Sequence, residues 1–205
     1  MQKESWNPKM KPIPLKFIKS APGAEHLPPD MGQEIIIAGY SNVGKSSIIN
    51  QIANIKDLAK CSKTPGRTQL FNVFEVSPTQ RILDLPGYGF AKVPIKTQKN
   101  WLSRLQEYLG SRASLCGVVL ITDIRRGLRP MDIDLAAWAL EQELPLMIVL
   151  NKSDKLSKSS AVMAKRQILN TINVQDAHVI LTSCLKRTGI IDLSKQIRLW
   201  LKISL

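Results

Sequence analysis

Gly39-Tyr40-Ser41-Asn42-Val43-Gly44-Lys45-Ser46 fits the pattern G-x-x-x-x-G-K-[ST]. It lies between the apolar run Ile35-Ile36-Ile37-Ala38 and a second stretch, Ser47-Ile48-Ile49-Asn50. That order reads as a buried strand, a tight loop and the start of a helix. With little bulk at Gly39 and Gly44, such a loop can wrap its backbone N–H groups around phosphate oxygens. The helix start adds partial positive charge at the same place. Lys45 has the reach for β- and γ-phosphates, and the Ser46 hydroxyl is a hard oxygen suited to Mg²⁺.

Three further motifs follow apolar runs. Arg81-Ile82-Leu83-Asp84-Leu85-Pro86-Gly87 is a strand entering D-x-x-G, 39 residues after Lys45. Asp84 is placed to hold Mg²⁺ through a water, and the Gly87 N–H to face a terminal phosphate. Leu146 to Leu150 runs into Asn151-Lys152-Ser153-Asp154, N-K-x-D. The Asp154 carboxylate can accept from guanine N1–H and the 2-amino group, a donor pair adenine lacks. Lys152 can lie over the base, and Asn151 can tie this loop to the phosphate loop. Thr182-Ser183-Cys184 after the last apolar run brings small residues whose N–H groups can approach the guanine carbonyl. Between the first two motifs, Ser62 to Gln69 is polar and basic. Thr68, before a strand, is the preferred second hydroxyl for Mg²⁺, with Thr64 its rival; such a segment would order with the triphosphate and loosen after hydrolysis.

The elements needed to position these groups follow from the alternation of apolar runs and helical stretches. Strands are expected over Glu34–Ala38, Leu70–Val76, Arg81–Leu85, Gly117–Thr122, Leu146–Asn151 and His178–Thr182. Helices are expected over Lys45–Asn54, Lys96–Leu109, Met131–Glu143, Ser159–Asn173 and Ile191–Ile203. Successive strand–helix units imply an α/β fold with a mainly parallel six-stranded sheet covered on both faces. Ligands bind such sheets at the carboxyl ends of strands, where all four motifs lie. Residues 1–30 hold six of the twelve prolines and read as an extended arm, partly docked through Phe17 and Ile18. Residues 31–205 read as the domain proper. Trp101, Trp138 and Trp200 read as core anchors, and His26 and His178 as neither metal ligands nor bases. Asp123, Arg125 and Arg126 read as a turn with solvated arginines.

At 205 residues, with 44% hydrophobic and 22% charged residues, the chain fits one globular domain. No apolar run reaches membrane-spanning length, and the first ten residues lack a secretory apolar region. Three widely spaced cysteines fit a reducing, cytoplasmic setting. A net charge of +13 predicts a polyanionic partner, with local balances of +7 over 155–205 and +6 over 56–104. Few aromatics argue for phosphate-backbone contact with structured RNA rather than stacking on single strands.

These motifs, in this order, resemble those of translation-factor-type P-loop GTPases, and more narrowly the EngB (YihA/YsxC) family. The resemblance is carried by GYSNVGKSS, SKTPGRTQLFN, LDLPGYGFAKVP, TDIRRGLRPMD, NKSDKL and TSCLKRTGI, with Ser20-Ala21-Pro22 and Leu27-Pro28 in the arm. It covers the chain from about Phe17 onward. It implies a three-layer α/β/α Ras-like domain, GTP and GDP as ligands, slow Mg²⁺-dependent hydrolysis, and association with the large ribosomal subunit during its assembly. A requirement for normal cell division and septation is implied as well, and the chain is expected to be a monomer. Nucleotide contacts carry over to Gly39 through Ser46, to Gly66, Arg67, Thr68, Gln69 and Leu70, to Asp84 through Gly87, to Asn151 through Asp154 and to Thr182 through Cys184. Lys45, Thr68 and Gly87 are the catalytic candidates, and Ser46 and Thr68 the magnesium ligands.

Two features set the chain apart from Ras-type members. The residue after D-x-x-G is Tyr88, where a Gln would orient the attacking water, so intrinsic hydrolysis should be slow. Asn42 resembles the loop Asn of GTPases that hold K⁺ beside the phosphates, the alternative being a purely structural Asn. A small-molecule kinase would share the phosphate loop but would not need N-K-x-D, and a structural adaptor at the division site would use nucleotide only for stability.

Overall fold

The computed structural model describes residues 11–59, 70–89, 109–172 and 178–204. Its centre is β2 (Gln33–Ala38), whose unbroken Ile35-Ile36-Ile37-Ala38 run is fully buried. A strand apolar on both sides suits only a sheet covered on both faces. Parallel to it on one side lies β4 (Gln80–Asp84), with Ile37 opposite Asp84; on the other lies β5 (Leu115–Asp123), with Ala38 opposite Leu120. Beyond β5 come β6 (Leu146–Asn151) and β7 (His178–Leu181), both parallel. The antiparallel side is built by β3 (Phe71–Ser77) against β4 and by β1 (Lys16–Ala21) against β3. The order is β1-β3-β4-β2-β5-β6-β7, seven strands rather than the expected six.

The added strand comes from the proline-rich stretch. Of β1 only Ala21 is buried, so no apolar periodicity announces it. It is held by its ladder, by Phe17 edge-on to Phe74 at 5.8 Å, and by Ser20 donating to Asn72 at 2.8 Å. Ile13 and Leu15, just before it, are in the core.

Four helices lie within the described residues: α1 (Lys45–Ala53), α2 (Pro130–Glu141), α3 (Lys158–Ile172) and α4 (Ile190–Trp200). The α1 and α4 pair packs together, with α4 on β2, while α2 packs on β5, β6 and α3. This completes the three layers. Pro130 occupies the first turn of α2, where its missing N–H costs nothing. The expected helix Lys96–Leu109 lies almost wholly outside the described residues, as does Trp101. No described helix is long and apolar enough to cross a membrane.

Trp138 is buried, and Trp200 packs on the core against Gly117. A Cβ at Gly117 would sit 2.5 Å from the indole Cε3. Gly117→Ala should therefore cost about 1–3 kcal/mol by overpacking, read as a lowered denaturation midpoint at unchanged m-value.

Two fastenings built on buried arginines lie away from the strand ends that carry the motifs. Glu34, with no exposed surface, accepts from Arg112 Nε at 2.8 Å and Nη2 at 3.0 Å, and pairs with Arg81 Nη1 at 3.1 Å. The two arginines also donate to the carbonyls of Pro28, Pro29 and Met31, pinning the crossing into β2. Arg198 on α4 donates to the carbonyls of Lys11, Pro12 and Ser204.

Candidate phosphate and base site

β2, β4, β5 and β6 run parallel, with Ile37 opposite Asp84 and Asp123 opposite Asn151, so the motifs that follow these strands lie along one edge of the sheet. The phosphate loop turns on Gly39 and Gly44. Gly44, at φ 105°, caps α1 in the left-handed region, and no side chain caps the N-terminal N–H groups there. A Cβ on Gly44 would lie 2.2 Å from Asn151 Nδ2, which donates to Val43 O at 2.8 Å. Lys152 Nζ donates to Asn42 O at 2.7 Å. Asn151 and Lys152 thus both fasten the loop.

Lys45 is a half-buried cation of the site, its Nζ 3.4 Å from Gly39 O. Burial lowers its pKa, with Asp84 opposing. Burial likewise raises the Asp84 carboxyl, against the pull of Lys45 and a 3.3 Å hydrogen bond from Asn72 to Oδ2. Asp84 Oδ1 is buried and has no hydrogen-bond partner among the described residues. A buried carboxylate oxygen left open is costly unless something fills the demand. With the Ser46 hydroxyl on the adjoining helix turn, it makes a hard-oxygen donor set that fits Mg²⁺. Gly66, Arg67, Thr68 and Gln69, with Thr64, lie outside the described residues; Leu70 is half-buried at the entry to β3.

Gly87 lies against Lys45: a Cβ there would be 2.8 Å from Nζ and 3.0 Å from Ser41 Oγ. Leu85 N donates to Ile37 O at 2.9 Å, carrying the segment on from β4. Tyr88 is buried, with its hydroxyl donating to Asp132 Oδ1 at 2.6 Å. The phenol is therefore engaged away from any water-orienting task.

At the other end, Ser183 Oγ donates to Asp154 Oδ1 at 2.5 Å, and this bond holds the carboxyl below its ordinary range. Thr182 Oγ1 donates to Asn151 Oδ1 at 3.2 Å, and Ser153 N to Thr182 O at 3.0 Å. Cys184 Sγ lies 3.8 Å from the same Asn151 oxygen. The two loops are one hydrogen-bonded unit presenting an ionised carboxylate.

Sequence reading underrated two places. Asp123 is forked by Arg125 at 2.9 and 2.6 Å and pairs with Lys152 Nζ at 3.1 Å, so this turn orients the N-K-x-D lysine. Asp132, to which the sequence reading gave no role, is fully buried beneath the site. Burial pushes its carboxyl up to about 6, the Tyr88 hydroxyl, Arg129 and Lys45 opposing. The neutral form is favoured in the fold, so this group's stabilising contribution is complete below about pH 4 and lost as pH rises through about 6. Asp132→Asn, neutral throughout, should lose about 1 kcal/mol less stability than the wild type between pH 5 and 7.5 in chemical denaturation.

The family model described as 50S ribosome-binding GTPase matches residues 34–152, and that of the elongation factor Tu GTP binding domain matches 105–202. A probable GTP-binding protein EngB of Idiomarina loihiensis is 46% identical over 188 residues, covering 90% of this chain and 91% of its own. That of Colwellia psychrerythraea is 49% identical over 176 residues, covering 84% and 78%. Among solved structures, a probable GTP-binding protein engB superposes at TM-score 0.68 with 24% identity, covering 82% of this chain and 98% of that one. Aquifex aeolicus Era bound to GDP and AlF4⁻ superposes at TM-score 0.62 with 21% identity, covering 85% and 58%. With the phosphate loop, the D-x-x-G strand and the N-K-x-D unit on one edge of a three-layer sheet, these likenesses agree, and the chain belongs to the EngB family of GTP-binding P-loop GTPases.

Proposed function

We propose that this edge of the sheet grips GTP at both ends and that its hydrolysis switches association with the assembling large ribosomal subunit. The observation that carries the reading is the tie of Asn151 and Lys152 to the phosphate loop, which joins base recognition to phosphate recognition in one rigid unit. Gly39 through Ser46 wrap the phosphates, Lys45 reaches the terminal ones, and Gly87 faces the transferred group. Ser46 and Thr68 would hold Mg²⁺, with Asp84 behind a water, and the ion would neutralise charge developing on the phosphates. Asp154, held ionised by Ser183, selects guanine. A kinase reading is disfavoured by that carboxylate, which has no task toward adenine.

The net charge of +13 supports an RNA-rich partner. Normal division and septation would then depend on the chain indirectly, through the supply of ribosomes in the cytoplasm, where we place it as a monomer. Sedimentation with ribosomal subunits in a GTP analogue, GDP and no nucleotide tests the switch. Pelleting with large subunits only in the analogue is expected; pelleting regardless of nucleotide and abolished by salt would sink it in favour of plain charge attraction. Asn42, exposed on the loop, is the K⁺ candidate. Turnover should be faster in K⁺ than in Na⁺ at equal ionic strength, and equal rates would remove that role.

A further inference from the structure

Tyr88 is pinned from two sides, by the phosphate loop and by Asp132, a carboxylate that the reading above leaves without a task. Its carbonyl accepts from Ser41 N at 2.9 Å and from Ser41 Oγ at 3.2 Å, joining it to the phosphate loop. Its hydroxyl donates to Asp132 Oδ1, while Asp132 Oδ2 accepts from Arg129 N at 3.1 Å. The carboxylate is thus gripped at both oxygens at the start of α2. Around this link the side chains stack. The Tyr40 and Tyr88 rings meet edge-on at 4.7 Å, and the Arg129 guanidinium lies 3.1 Å over the Tyr40 ring. Gly89 closes the column, since a Cβ there would be 2.0 Å from the Tyr40 ring. An apolar side chain would fill the place of Asp132 without the cost of a buried charge. What the carboxylate adds is a directional hold on one phenol.

We propose that Asp132 is a positioning residue for GTP hydrolysis: by holding the Tyr88 hydroxyl, it fixes the backbone just after Gly87 against the phosphate loop and, through that anchor, limits the movement of the Gly87 N–H. The proposal rests on the reading that the Gly87 N–H faces the terminal phosphoryl group. A backbone donor matters to the reaction only if it stays in place as charge develops, and displacements near 1 Å can cost up to about 100-fold. Through Asp132 and Arg129, α2 sets that place.

The test is kcat and KM for GTP in the full chain carrying Tyr88→Phe, Asp132→Ala, both together, or Asp132→Asn, assayed well below each melting point. Tyr88→Phe and Asp132→Ala should each lower kcat by about 5- to 20-fold with KM within about twofold, and the pair should be no worse than the poorer single. Asp132→Asn can accept from Arg129 N–H through Oδ1 and donate through Nδ2 to the phenol oxygen. It should hold kcat within about threefold of the wild type. Unchanged kcat in Tyr88→Phe, which removes one atom and stays folded even if Asp132→Ala does not, would overturn the proposal. So would a rise in KM alone, or losses that multiply in the double variant. Gly87→Ala separates the two readings. If it leaves kcat intact, the placement of Gly87 at the phosphoryl group is what fails; if it lowers kcat and Tyr88→Phe does not, the role of Asp132 is.

Discussion

Asp154→Asn should weaken GTP binding by about two to three orders of magnitude while leaving the fold intact, and should raise affinity for the xanthine triphosphate. The loss has two parts. In the proposed site the Asp154 carboxylate, with Ser183 donating to Oδ1 and Lys155 Nζ 3.6 Å from Oδ2, would accept from the two guanine donors, and replacing it by an amide would set an N–H against an N–H. A charge-assisted bond is also exchanged for a neutral one. Xanthine presents a carbonyl where guanine has its amino group, so the new amide finds an acceptor there. Calorimetric titration with GTP, ATP and the xanthine nucleotide reads all three. The phosphate side is untouched, so binding of inorganic tripolyphosphate should not change. Unaltered base choice would mean that the base lies elsewhere, and the reading of the whole edge would fall with it.

Glu34→Gln should destabilise the protein by about 3–5 kcal/mol, because it takes away the buried charge that two buried guanidinium groups share and leaves them backbone carbonyls and the more distant Asp30. For a chain of this size that is a fall of roughly 10 °C in melting temperature. The surviving folded fraction should hydrolyse GTP normally, since the cluster lies away from the nucleotide edge. Replacing Glu34, Arg81 and Arg112 together by apolar residues of matching volume should recover most of the loss, which a simple deficit of packing would not predict. Scanning calorimetry of the single and triple variants distinguishes the cases.

How much of this was legible in the sequence depends on how far each signal reaches along the chain. β2, β5 and β6 announce themselves because a buried parallel strand must be apolar residue after residue, and their motifs follow within a few positions. The phosphate loop, D-x-x-G and N-K-x-D are equally local. β1 was missed because an edge strand needs only its ladder and one or two anchors, and Lys16-Phe17-Ile18-Lys19 sits among prolines. The Glu34 cluster joins residues 47 and 78 positions apart, and no single stretch records it. Asp132 was passed over for a different reason. Its sequence setting, two residues after Pro130, explains it fully as part of a helix start, and only the fold shows that Tyr88 shares it.

The hold of Arg198 on Lys11 and Pro12 spans 187 positions. A ribosome translating this message therefore releases the partner carbonyls long before the guanidinium that holds them. Until α4 emerges, the opening residues lack that clasp, whatever the rest of the sheet has achieved. Frameshifted or prematurely stopped products would share the same flaw, Lys11 and Pro12 without their clasp, and proteases would find an unfastened segment there.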